Sequence, residues 1–170
     1  KWAVVGIVNW SDKTTATEID LGKLGLDPTR EYHVYNYWHR RYIGVVRESI
    51  RIKRHQPHET RVLLFKPVSE QTELLTTTFH RAQGLCVGKS VTRREELRAG
   101  KRRTQQSIET HCVRVELEKR GIQNGDVIFA VPKSKKVIAA RVDGKISPHR
   151  SIDKGIVAVG LTLDERAIVE

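Results

Sequence analysis

The sequence predicts an all-β protein, an antiparallel β-sandwich built most simply as two consecutive β-sandwich units. Apolar residues recur with a period of two, or stand in short blocks bounded by Gly, Pro, Asp and Asn, whereas the 3.6-residue period of an amphipathic helix is hard to find. The strand pattern restarts after the polar segment from Pro67 to Glu70, which is typical of a junction. We therefore expect a first unit at residues 1–70 and a second at residues 71–170.

The first predicted strand, at residues 2–10, is apolar on both faces. Val4 and Val8 share one face, whereas Val5 and Ile7 share the other. A strand of this kind must be covered on both sides. One cover is the opposite layer of its own sandwich, and we expect the other to be a further domain.

The remaining strands of the first unit follow from alternation and from a high density of aromatic residues. A strand at residues 14–21 comes directly after a turn at residues 9–13, so it is predicted to form a hairpin with the first strand. Aromatic side chains favour the next strand, and about seven short strands fit in this unit. These later strands are predicted at residues 31–38, 42–46, 49–53 and 61–65.

The second unit is predicted to be another series of short strands. Its strongest turn signal is Asp143-Gly144, because a type I′ hairpin turn needs positive φ at both central residues. Residues 92–107 carry six basic side chains and almost no apolar ones, so they are predicted to be an exposed basic loop or hairpin tip. Strands are predicted at residues 74–80, 111–117, 127–131, 137–142 and 156–161.

The net charge of the chain is +11, from 31 Lys and Arg against 20 Asp and Glu. Its densest basic patch consists of Arg93, Arg94, Arg98, Lys101, Arg102 and Arg103. A nucleic-acid partner would use such side chains as phosphate contacts. However, Glu95 and Glu96 interrupt the patch, so a basic nucleic-acid-associating domain is the least favoured of the alternatives.

Most enzyme classes have no motif here. The sequence contains no Gly-x-Ser-x-Gly, no phosphate loop and no dinucleotide fingerprint, and its carboxylates stand in turns or on solvent faces. His55 and His58 flank a proline turn, which favours hydrogen bonds over a metal site. We expect no catalytic residue, no metal and no cofactor. Cys86 and Cys112 leave the redox compartment undetermined, and with it the localisation.

Membrane insertion is not expected, because the longest charge-free apolar stretch, Ala3 to Val8, has six residues where a membrane helix needs about 20. The chain contains no Met and opens with an apolar run. We therefore expect it to be a piece of a longer protein.

Aromatic side chains also suit carbohydrate binding, since the CH groups of a pyranose ring pack flat on an indole or a phenol. The candidates are Trp10 at a turn, and Tyr35 and Tyr37 in an aromatic-rich strand. An autonomous carbohydrate-binding β-sandwich is thus an alternative function, although core packing is the more common role of such residues.

Four segments together resemble one known family. They read VVGIVNWSD at residues 4–12, IDLGKLGLD at 19–27, YHVYNYW at 32–38 and PHETRVL at 57–63. In this order and spacing they resemble the C-terminal β-sandwich domain of α-galactosidase-like (melibiase-type) glycoside hydrolases. The resemblance covers residues 2–84, and residues 105–170 resemble more loosely a second β unit found at the end of some members.

The resemblance implies that a catalytic (β/α)₈ barrel precedes this region in the full-length protein and carries both catalytic aspartates. Such a barrel needs about 250 residues of its own. No catalytic residue is therefore carried over to this chain. Its expected role is non-catalytic, and its expected partner is the barrel of the same polypeptide, which it would cap and brace.

Overall fold

The computed structural model describes residues 2–79, 87–99 and 106–170, and within them the chain is all-β. Every strand pair is antiparallel, which confirms the predicted fold class. The chain divides into two compact units, Lys1–Ser69 and Glu70–Glu170. This division lies one residue before the boundary expected from the sequence.

The first unit is a sandwich of a four-stranded and a two-stranded sheet. Its strands are β1 Ala3–Val8, β2 Thr15–Asp20, β3 Tyr32–Asn36, β4 Arg41–Val46, β5 Ser49–His55 and β6 Thr60–Pro67. The larger sheet has the order β1-β6-β3-β4, and the smaller one pairs β2 with β5. The core between them contains the buried residues Ile19, Leu21, Leu26, Tyr32, Val34, Ile50, Ile52, Leu63 and Phe65.

In β1 and β5, alternate side chains face the core and the solvent, as the period-two sequence pattern predicts. Ile50 and Ile52 are 7% and 6% exposed, while the residues between and beside them face solvent. In β1, Val5 and Ile7 pack against the core, and Val4 and Val8 lie on the outer face. In β1 and β5, alternation in the sequence therefore indicates correctly which side chains face the core.

The predicted hairpin between the first two strands is wrong. β1 pairs with β6, from Ala3 opposite Phe65 onward, and β2 pairs with β5, so the turn after β1 carries the chain from one sheet to the other. Two strands that are adjacent in sequence often pair, but both faces of β1 are apolar, and that favours a place in the larger sheet.

The strands of the second unit form one curled seven-stranded sheet within the described residues. They are β7 Glu73–Thr77, β8 Val87–Ala99, β9 Gln106–Ala130, β10 Ala140–Val142, β11 Lys145–Ser147, β12 His149–Asp153 and β13 Ile156–Val169. The long strands β9 and β13 pair from Ile156 opposite Ala130 to Val169 opposite Val115. Their inner face carries the core, which includes Phe79, Val113, Val115, Leu117, Val127, Val159, Leu163 and Val169.

The Asp143-Gly144 turn is confirmed. Val142 pairs with Lys145, and the two central residues have φ values of 49° and 77°. Asp143 also attaches this hairpin to β13, because its carboxylate accepts the backbone N–H of Ile168 at 2.8 Å. The turn residue therefore sets both the local twist and the position of the β10–β11 hairpin.

The basic segment at 92–107, predicted to be an exposed loop or hairpin tip, contains strand residues wherever it is described. Its described residues belong to β8 and to the start of β9, which pair with each other as far as Ala99 opposite Gln106. We call this pair of arms, residues 91–99 and 106–114, the β8–β9 ribbon. Residues 111–114 belong to a strand that the sequence predicts, whereas the mostly polar residues 92–99 and 106–110 show no clear apolar period, so the sequence pattern did not indicate the rest of the ribbon.

Candidate functional site

The connection from β1 to β2, at residues 9–14, is the corner of the first unit, and the buried side chain of Asn9 fixes its shape. Its amide group donates to the carbonyl oxygens of Lys13 at 2.8 Å and of His55 and Gln56 at 2.9 Å each. Its own oxygen accepts the backbone N–H of Ser11 at 3.1 Å. One side chain thus ties the corner to the end of β5.

The corner presents Trp10 to solvent. Trp10 is 82% exposed, the largest exposure among the exposed large apolar residues. Two positions further on, the Asp12 carboxylate lies 2.8 Å from Nε2 of His58. An open indole therefore stands on a fixed loop beside an exposed carboxylate and imidazole pair.

A second group of polar side chains lies at the end of β5 and the start of β6. The buried His55 ring contacts the Thr17 hydroxyl at 3.0 Å and the Glu59 carbonyl at 2.9 Å. Glu59 accepts from Arg61 at 2.7 Å, and His39 lies 3.3 Å from it. The hydrogen bond from Arg61 holds the pKa of the Glu59 carboxyl below its ordinary value.

The outer face of β1 is an exposed apolar surface. Trp2 is 59% exposed, Val4 44% and Val8 38%, and β1 contains no charged residue. Polar residues separate most exposed apolar side chains on soluble proteins, and contiguous apolar faces mark contacts with other molecules. We call Trp2, Val4 and Val8 the β1 face.

The other two aromatic residues predicted for sugar binding do not face solvent. Tyr35 is 1% exposed and Tyr37 is 8% exposed. Tyr37 also contacts the Trp38 ring edge-on, with ring centroids 5.4 Å apart. The structure therefore does not bring these tyrosines together with Trp10 on one open surface.

The basic patch is only partly within the described residues. Arg93 lies on β8 with an exposed side chain, and the backbones of Arg94 and Arg98 belong to the same strand. Lys101, Arg102 and Arg103 lie outside the described residues, as does Cys86. In register, Arg93 stands opposite Cys112 and Arg98 opposite Ser107.

Two further histidines, His33 and His39, make separate contacts. His33 lies 2.8 Å from the Tyr42 hydroxyl, and His39 contacts the side chain of Asn36. Across residues 2–79, 87–99 and 106–170 no group of three or more His, Cys, Asp or Glu side chains could hold a metal ion. The same ranges contain no helix with the length and hydropathy needed to cross a bilayer.

The second unit has an open cavity of about 500 Å³ on the sheet surface. Its lining is charged, with Glu116, Glu118, Asp143 and Arg166 among the lining residues. Arg166 lies 3.2 Å from Glu118, so part of this charge is internally compensated. A polar, open depression of this kind differs from the mostly apolar pockets that hold small molecules.

Comparisons with models of protein families, with curated proteins and with solved structures give no match to this chain.

Two side chains that stabilise this region, Asn9 at the corner and Glu59 in the second polar group, were not predicted as site residues. Asn9 and Glu59 were considered only as parts of motifs, because neither stands in an apolar pattern. Asn followed by Trp-Ser-Asp between two strands is typical of a side-chain-stabilised turn, and this signal was available. Two of the three carbonyl acceptors of Asn9, those of His55 and Gln56, lie more than 40 residues away, and no local pattern indicates them.

Proposed function

We propose that this chain is a non-catalytic β-sandwich region of an α-galactosidase-like glycoside hydrolase and braces the catalytic (β/α)₈ barrel of that enzyme. The observation that carries the proposal is the β1 face. Trp2, Val4 and Val8 remain open to solvent although β1 is hydrogen-bonded to β6 along its length. A neighbouring domain of the same enzyme would cover this face.

The energetics favour such a contact. Complete burial of a large aliphatic or aromatic side chain stabilises an interface by roughly 1.5–3 kcal/mol. The strand carries no charge that would have to be desolvated on docking, and only Gly6 interrupts its apolar outer row. A strand face of this type therefore suits a permanent intramolecular interface better than a transient one.

The motif residues behind the resemblance have structural roles in the first unit. Asn9 from the first segment holds the corner, and Leu21, Leu26 and Tyr32 from the next two are 0%, 4% and 1% exposed. Gly25 has a φ of 68° and ends the short 3₁₀ turn at Gly22–Leu24. Each of these residue types thus has a structural reason to stand at its position.

The direct test combines this chain with the isolated (β/α)₈ barrel of a melibiase-type α-galactosidase whose own C-terminal sandwich has been removed. We expect the chain to raise the melting temperature of the barrel and to co-elute with it in size-exclusion chromatography. Val4→Lys places a charge on the β1 face and should abolish both effects. Ile146→Lys, at a position 79% exposed in the second unit, is the matched control and should change neither.

An activity assay tests the non-catalytic part of the proposal. The 170-residue chain alone should show no turnover of aryl α-galactosides. Robust hydrolysis by the chain alone, or an identical effect of wild type and Val4→Lys on the barrel, contradicts the proposal.

A further inference from the structure

The corner carries a second, separate binding site. We propose that Trp10, Asp12 and His58 form a surface site for one pyranose ring of a carbohydrate. This site lies outside the β1 face, so it does not depend on the brace function proposed above. Its three side chains belong to the first unit alone.

The indole of Trp10 supplies the platform. A pyranose has one face of CH groups, which packs on an open aromatic ring, and a rim of hydroxyl groups, which needs polar partners. Trp10 is 82% exposed and therefore offers its ring without displacement of any other side chain. The Asp12 carboxylate can accept hydrogen bonds from hydroxyl groups, and the imidazole of His58 can donate or accept.

The site is held in place before any ligand arrives. The four hydrogen bonds of Asn9 fix the backbone on either side of Trp10, and the Ser11 hydroxyl accepts the backbone N–H of Lys13 at 2.9 Å. The 2.8 Å contact between Asp12 and His58 joins the corner to the β5–β6 turn. A preformed loop loses little conformational entropy when a ligand binds. This matters most for a ligand of low affinity, because its interaction energy would otherwise be offset by the cost of ordering the loop.

The neighbours of Trp10 favour a sugar over a protein partner. Ser11, Asp12 and Lys13 are exposed polar residues, whereas an aromatic anchor in a protein interface is normally surrounded by packed contacts that exclude water. The other two exposed tryptophans each have an apolar or aromatic neighbour. Trp2 adjoins the apolar strand β1, and Trp38 contacts Tyr37 edge-on at 5.4 Å.

The test uses the indole N–H signals of the full chain in ¹H–¹⁵N NMR spectra. The chain has three tryptophans, so Trp10→Phe, Trp2→Phe and Trp38→Phe assign the three signals by loss of one each. The probes are methyl α-galactopyranoside, methyl α-glucopyranoside and methyl α-mannopyranoside, each titrated to about 50 mM, well above a dissociation constant on the order of 1 mM. We expect the Trp10 signal to shift saturably with at least one probe, while those of Trp2 and Trp38 do not.

Variants separate the parts of the site. Asp12→Ala should weaken binding about tenfold through loss of its hydroxyl acceptors, and the conservative Asp12→Glu should restore part of it. Trp10→Ala should abolish the chemical-shift changes elsewhere in the corner. Ser151→Ala, at an exposed position in the second unit, should bind as wild type does.

Three outcomes overturn the proposal. The first is no saturable shift of the Trp10 signal with any of the three glycosides. The second is equal binding by wild type and Asp12→Ala. The third is a Trp10 signal that changes with protein concentration in the absence of sugar, which would make the corner a protein contact. None of these outcomes bears on the barrel experiment, since that experiment depends on Val4.

Discussion

At the scale of single residues, the Asn9 side chain stabilises the corner with four hydrogen bonds. Its side chain crosses from the end of β1 to the end of β5 and satisfies carbonyl groups that a corner between two sheets would otherwise leave buried without donors. Such groups are costly to bury unpaired. Asn9 therefore supports both sheets and the loop that carries Trp10.

We predict that Asn9→Ala lowers the free energy of unfolding by about 2–3 kcal/mol, because it removes the donor of several part-buried hydrogen bonds and leaves their acceptors unsatisfied. Urea unfolding measures the change. Ser11→Ala, whose side-chain hydrogen bonds are exposed, is the control and should cost less than about 1 kcal/mol. Equal losses for the two variants would show that Asn9 is not the centre of the corner.

The lowered pKa of Glu59 predicts a specific acid sensitivity. A carboxyl whose pKa is lower in the folded state than in the unfolded state stabilises the protein above its ordinary pKa of about 4.5, and this stabilisation disappears as the pH falls through the folded-state value. The cause is chiefly the hydrogen bond from Arg61, with a further one from the backbone N–H of Gln56.

The measurement is the free energy of unfolding of wild type and Glu59→Gln between pH 7 and pH 3. Wild type should lose stability more steeply below about pH 4.5 than the variant, so the two curves converge towards acid. Glu18→Gln, at an exposed position on β2, is the control and should follow wild type. Parallel curves for wild type and Glu59→Gln would contradict the assignment.

At the scale of elements, β9 depends on a close approach between a glycine and an aromatic ring. A Cβ atom at Gly125 would lie 2.6 Å from Cδ1 of Phe79, whose side chain is 1% exposed. Next to this contact, Thr78 and Asp126 exchange two hydrogen bonds, of 2.9 and 2.8 Å. The end of β7 therefore packs on β9 only if position 125 has no side chain.

We predict that Gly125→Ala destabilises the chain by about 1–3 kcal/mol, the usual cost of overpacking a core. Thermal unfolding followed by circular dichroism measures it. Gly88→Ala is the matched control, because a Cβ there meets only the Glu116 carbonyl at 3.7 Å, an ordinary contact. The interpretation fails if the two alanine variants unfold at the same temperature.

Strand existence could be predicted from the sequence much better than strand pairing. The alternation around Ile50 and Ile52 identifies β5 and its buried face, and the Asp143-Gly144 turn identifies a hairpin. No local signal indicates that β1 pairs with β6, because the two segments lie far apart in the sequence, with Ala3 opposite Phe65. Most of the β8–β9 ribbon was missed because residues 92–99 and 106–110 lack a clear apolar period.

The candidate site could be predicted in part. Trp10 was identified as a candidate because it is an aromatic residue at a turn, although core packing was the more common role expected of such residues. The same reasoning failed to separate it from Tyr35 and Tyr37, since aromatic residues in a two-faced strand can lie on either face. The solvent exposure of an aromatic side chain in such a strand depends on which elements cover each face of the sheet. The sequence of a single strand does not identify those elements.

At the scale of the whole molecule, the chain has two hydrophobic cores, one in each unit, and the buried residues of the first are distinct from those of the second. Leu63 is 0% exposed in the first core and Leu117 is 2% exposed in the second. The polar junction after Pro67 could be predicted from sequence because composition changes there over several residues.

We predict that Leu63→Ala and Leu117→Ala each destabilise mainly their own unit, by about 2–5 kcal/mol. Native-state hydrogen exchange measures which unit each substitution destabilises, because it reports the protection of backbone amides strand by strand. Leu63→Ala should accelerate exchange in β3 and β6, and Leu117→Ala in β9 and β13. A uniform loss of protection across all four strands in either variant would show one cooperative unit instead of two.

The pairing of β1 with β6 has a consequence during synthesis. Ala3 of β1 pairs with Phe65, about 60 residues later, so β1 leaves the ribosome before its hydrogen-bonding partner exists. At translation rates of about 5–20 residues per second, the strand waits roughly 3–12 seconds. Throughout this time neither of its apolar faces has the cover that the folded first unit provides, and both are open to chaperones and to other nascent chains.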